Sequence, residues 1–230
     1  VMPLTDAEAA PALQALRLSQ SVDTALDPHP FYILSTSILF LLYGGGTDFL
    51  ARLMPALMGS LLVFAPLLFD DRIKPRPALI LTFLLALDPG LVAISRQAAS
   101  PIFAIAFLAF AAGFFNKGNP ALVAVFSALA LLSGPSLWLG LLGLGIAWSI
   151  YQLFNRPAKN VAEGTPAASE HQPGAFLQPA PLLLLLAIFI AAGTLFLTVP
   201  DGMGAAFASI PAFFGKWGQA SDLSQGVVSL

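Results

Sequence analysis

The chain has 230 residues, of which 57% are hydrophobic and only 10% charged, with a net charge of −2 and a mean hydropathy of +0.84. Charged residues make up about 25% of an ordinary soluble domain, so this composition excludes one and points to a polytopic membrane protein. The near-neutral charge gives no electrostatic basis for a nucleic-acid partner, and the absence of cysteine excludes disulfides and thiolate chemistry, while His29 and His171 alone are too few for a histidine-rich metal site.

Residues 1–30 are polar and mixed, and 7–18 (AEAAPALQALRL) has the make-up of a short surface helix. The next run, 31–43 (FYILSTSILFLLY), is apolar but shorter than the roughly 20 residues that cross a bilayer core of about 30 Å. It suits a helix lying in the interface or half-buried, stopped by Gly44-Gly45-Gly46. Spans are then expected at about 52–69, 77–95, 99–115, 120–134, 136–154 and 181–199. Several contain Gly or Pro, which bilayer helices tolerate. Asp88-Pro89 reads as a helix end near the outer surface, and His29 before Pro30 reads as a turn residue.

The expected fold class is all-α: a polytopic transmembrane helical bundle of about six spans plus one short interfacial helix. Residues 1–50 form an outward-facing first loop, 51–154 a first membrane subdomain of five spans, and 155–180 a polar cytoplasmic linker rich in Ala, Pro, Glu and Gln. A further span at 181–199 and an outward-facing loop at 200–230 complete the chain.

Orientation follows from the placement of Lys and Arg. Arg72, Lys74, Arg76, Lys117, Arg156 and Lys159 fall on one side, in compact loops, and Arg17, Arg52, Arg96 and Lys216 on the other. The first side is expected to be cytoplasmic. Asp6, Glu8, Asp27, His29, Arg52, Asp88 and Arg96 then gather at or near the outer surface. Few ionisable residues remain deep in the spans, which argues against an ion-coupled transporter and for chemistry where a lipid headgroup is presented.

Four stretches carry a family resemblance. They are TDAEAAPALQALRL (5–18), DPHPFYILSTSILFLLYG (27–44), TDFLARLMPALMG (47–59) and LLALDPGLVAISRQA (84–98). In this order they resemble the start of the GT-C membrane glycosyltransferases that use lipid-linked sugars, such as protein O-mannosyltransferases and aminoarabinose transferases. The likeness is to their archaeal and bacterial branch related to the dolichyl-phosphate-mannose mannosyltransferases. It covers residues 5–140 and continues beyond them only by hydropathy. In that fold a transmembrane helix precedes the acidic loop and further spans follow position 230, so the resemblance implies the N-terminal part of the membrane module.

The resemblance implies an integral, multi-pass protein of a prokaryotic cell membrane that transfers a sugar from a polyprenyl-phosphate donor to an acceptor at the outer face. It assigns Glu8 or Asp6 as general base and Arg52, Arg96 and His29 to the donor phosphate, with a divalent cation such as Mg or Mn as a further aid. Its partners are the lipid-linked donor, membrane lipids and, in a complex, other membrane subunits; nucleic acid is not among them. Two departures stand out: Ala7 where the adjacent aspartate is expected, and Gln97-Ala98-Ala99 after Ser95-Arg96, where many relatives carry a second acid. They keep an alternative open, a catalytically degenerate relative serving as an accessory subunit. A flippase for lipid-linked sugars is a weaker third. Purely structural roles also stay open: Asp6 and Glu8 as helix-starting acids, Arg52 and Arg96 as interfacial anchors.

Overall fold

The computed structural model describes residues 4–22, 25–69, 75–154, 179–196 and 198–218. Within them the chain is helical, without strands. The helices are α1 (Asp6–Ser19), α2 (Pro30–Tyr43), α3 (Asp48–Leu62), α4 (Pro75–Leu87), α5 (Pro89–Ser95), α6 (Ile102–Asn116), α7 (Pro120–Leu131), α8 (Ser136–Phe154), α9 (Pro179–Gly193) and α10 (Asp201–Gly218). A short 3-10 turn, Ala65–Phe69, follows α3.

Two of these stretches are long and apolar enough to cross a membrane: Asp48–Phe69, in which the 3-10 turn prolongs α3, and α8. A third is available if α4 and α5 count as one span, bent by 58°. The expected span over 77–95 is therefore bent at the Asp88-Pro89 junction. Pro89 has no N–H with which to continue α4, and the Asp88 side chain accepts from the Leu91 N–H at 2.8 Å, capping a new helix. The remaining apolar helices, α2, α6, α7 and α9, have 12 to 15 residues. At 1.5 Å per residue they are about 18–22 Å long, less than the thickness of a bilayer core. Residues 155–178 of the expected linker lie outside the described residues, and the expected outward loop after 200 begins with the helix α10.

The core is built on α6, which packs against α3, the 3-10 turn and α7. Ile102, Phe103, Ala106 and Phe107 on α6 are fully buried. Phe31 of α2 meets Phe103 and Phe107 edge-on, with ring centroids 5.2 and 4.9 Å apart, the arrangement that aromatic quadrupoles favour. Small residues set the closest approaches. A Cβ on Gly113 of α6 would lie 2.6 Å from Leu68 of the 3-10 turn, and one on Gly59 of α3 would lie 2.5 Å from the Ser95 Cβ at the end of α5.

The first part of α2 is deeply buried, with Tyr32, Ile33 and Leu34 in the interior, whereas Leu41, Leu42 and Tyr43 at its other end are exposed. Half-burial is thus met by end rather than by face. Gly44 closes α2 in the left-handed conformation (φ +75°), its N–H bonded to the Phe40 carbonyl. By contrast α8 is exposed along most of its apolar length, from Leu139 to Phe154.

Candidate functional site

The site grows from the first turn of α1. Thr5 caps the helix, and Glu8, three positions on, reaches back to accept the Thr5 N–H at 3.0 Å, the reach-back half of a capping box. The same oxygen, Oε2, accepts the Thr5 hydroxyl at 2.9 Å and Nη2 of Arg52 at 3.1 Å. The other oxygen, Oε1, accepts the buried Ala98 N–H at 2.9 Å. Glu8 is thereby bound to its own helix, to α3 and to the turn after α5.

That turn needs holding. Ala99 sits at φ +50°, a left-handed conformation unfavourable for a residue with a Cβ. The Ala98 N–H bond to Glu8, next in sequence, fixes the strained segment against α1. Glu8 is only 7% exposed. Burial alone would raise its pKa, but the hydrogen bonds from Thr5, Ala98 and Arg52 outweigh it and bring the carboxyl from 4.5 down to about 2.

Beside Glu8 opens a cavity of about 840 Å³. Its walls come from the start of α1 (Thr5, Glu8), the segment before α2 (Asp27, His29), the turn before α6 (Gln97, Ser100) and the start of α8 (Ser136). The second wall is clamped from both sides. The Asp27 N–H donates to Gln14 Oε1 at 2.9 Å, and the Phe31 N–H donates to the Leu132 carbonyl at 2.9 Å. Gly134, at φ +101°, lets the α7–α8 turn touch this segment: a Cβ there would lie 2.5 Å from the Pro28 carbonyl oxygen and 2.7 Å from His29 Nδ1.

The motif-nominated residues are therefore distributed unevenly. Glu8 and Arg52 form an ion pair with each other. Glu8 and His29 share the cavity wall. Arg52 backs the wall through Glu8 without lining it, and Arg96 caps the end of α5 with an exposed side chain beside the lining residue Gln97. Asp6 occupies the first position of α1, and its side chain lies outside the described residues. Asp27, Gln97 and Ser136 line the cavity although no motif nominates them as site residues. The signal for Asp27 was its place next to His29 in the outward polar cluster; Ser136, in an SGPS turn, has none.

Among the described residues no three His, Asp or Glu side chains converge as a divalent-cation site requires. With Glu8 bound to Arg52, the described residues do not by themselves make a site for Mg or Mn.

No protein-family model matches this chain, and no curated protein or solved structure matches it either.

Proposed function

We propose that this chain is the N-terminal part of a GT-C-like, multi-pass glycosyltransferase of a prokaryotic cell membrane, with about six spans. It transfers a sugar from a polyprenyl-phosphate donor to an acceptor at the outer face. One observation carries the reading. Three of the four stretches that resemble the family, at 5–18, 27–44 and 84–98, contribute to the walls of a single cavity of about 840 Å³. A pocket of this size lies in the range that takes small organic ligands, about 300–1,000 Å³.

The chemistry is an inverting displacement. A carboxylate on the wall accepts the acceptor's proton, and cationic groups offset the charge on the departing phosphate. Arg96, exposed beside the Gln97 rim, is the guanidinium placed to meet a headgroup from outside. Arg52 acts from behind, through its pair with Glu8.

A second reading has its own observation. The four hydrogen bonds on Glu8 suit a structural role, and the exposed apolar length of α8 offers a face to lipid or to another subunit. This favours a degenerate relative acting as an accessory subunit.

The deciding experiment is donor turnover by the full-length protein in nanodiscs, using radiolabelled polyprenyl-phosphate mannose and glucose. Release of polyprenyl phosphate above the protein-free rate supports the transferase. Neither turnover nor donor binding would leave only the accessory reading.

A further inference from the structure

Among the described residues, three titratable side chains line the cavity: Glu8, Asp27 and His29. A general base must present a lone pair to the substrate hydroxyl within hydrogen-bond reach. Glu8 meets that need poorly. Its Oε2 already accepts from the Thr5 N–H, the Thr5 hydroxyl and Arg52, and its Oε1 accepts from Ala98, while a carboxylate oxygen offers only about two lone-pair sites. Abstracting a proton there would also break the ion pair that joins α1 to α3.

Asp27 is placed differently. It is partly exposed on the same wall, and its main chain is pinned rather than its carboxylate. The N–H is held by Gln14 Oε1 at 2.9 Å and the carbonyl by the His29 N–H at 2.7 Å. A short side chain on a fixed backbone is the preorganised support that a reacting group needs.

We propose that Asp27, rather than Glu8, is the carboxylate that accepts the proton of the acceptor hydroxyl, and that Glu8 is a positioning residue holding the Ala98 turn in place; this assignment rests on the transferase reading above. In the step, the acceptor oxygen bonds to the anomeric carbon while its proton passes to the Asp27 carboxylate. The bond from the anomeric carbon to the phosphate oxygen breaks, and its electron pair leaves with polyprenyl phosphate. The proton on Asp27 is then released to water.

The test compares wild type, Asp27→Asn and Glu8→Gln in nanodiscs with the same two radiolabelled donors. It measures turnover, donor affinity and melting temperature together. Asp27→Asn is expected to lower turnover by at least about 100-fold, the lower bound for a general base, with donor affinity and melting temperature kept. Glu8→Gln is expected to lower the melting temperature and to cost its folded fraction much less turnover than Asp27→Asn does. In parallel, a water-soluble carbodiimide with an amine nucleophile should label Asp27 faster than Glu8, read by peptide mass spectrometry. Active wild type with an active Asp27→Asn, or Glu8 labelled as fast as Asp27, overturns the assignment and leaves the transferase standing. An Asp27→Asn protein that no longer melts cooperatively also overturns it, since the side chain is then structural. Wild type inactive with both donors overturns the transferase reading and this assignment with it.

Discussion

The Tyr32 hydroxyl donates to the Ala51 carbonyl at 3.0 Å in the interior, and Pro55 is the reason that carbonyl is available. In an unbroken helix Ala51 would receive the N–H four residues on, which proline lacks. The Pro inside the RLMPALMG stretch thus creates a buried acceptor in α3, and α2 supplies its donor.

Removing the donor tests this pairing. Tyr32→Phe should cost about 1–3 kcal/mol, the desolvation penalty of a buried unsatisfied group, read as a lower melting temperature in detergent. Pro55→Ala restores an N–H for Ala51, so in that background the cost of Tyr32→Phe should shrink. Equal costs in both backgrounds would show that the bond does not depend on the proline.

Glu8 makes stability depend on acidity. Its carboxyl sits at about 2 in the folded chain against 4.5 ordinarily, so the unfolded chain binds the proton more readily. The stabilisation is complete above about 4.5 and is lost as pH falls toward about 2. Glu8→Gln should lower stability by about 1.5–3 kcal/mol at neutral pH, the range for bonds to a charged group. Its melting temperature should also fall less than that of the wild type between pH 6 and pH 3, since the variant lacks this group; parallel curves would refute the account.

Gly59 and Ser95 mark the tightest crossing of α3 over α5. Gly59→Ala forces a methyl group to within 2.5 Å of the Ser95 Cβ, and overpacking of this kind costs about 1–3 kcal/mol. Combining it with Ser95→Gly removes the obstructing atom, and the double variant is expected to recover much of the lost melting temperature. An additive loss would place the damage elsewhere.

Gly134 carries two demands at once, a φ of +101° and contact with Pro28 and His29. Gly134→Ala should cost more than about 1 kcal/mol through backbone strain and push His29 away from its seat. The expected NMR signature is a shifted His29 imidazole resonance; an unmoved resonance would mean that the turn yields instead.

Much of this organisation was legible in the amino-acid pattern, and what was not has a physical reason. The surface helix at 7–18 is α1, and the triple glycine does stop α2. Asp88-Pro89 does end a helix, but hydropathy averages over the junction and hides the 58° turn there, because a cap and a proline change direction without changing polarity. The lengths of the short apolar helices escaped for a similar reason: hydropathy extends through flanking apolar residues that fold as turns, such as Leu132 and Leu195. The union of Glu8, Arg52 and Ala98 was beyond reach, since periodicity reports which face of a helix is apolar and not which distant helix lies beside it. The same limit kept Asp27 out of the nominated set.

Glu8 is also a clock on the making of the molecule. It meets Arg52 across 44 positions and Ala98 across 90, so neither link can form until the ribosome has produced the partner. At about 5–20 residues per second, the second partner emerges about 5–18 s after Glu8. Of the two partners, the cation is synthesised first and the strained turn last. A nascent chain paused between these two points would carry both Glu8 and Arg52 but lack the wall that bears Gln97 and Ser100.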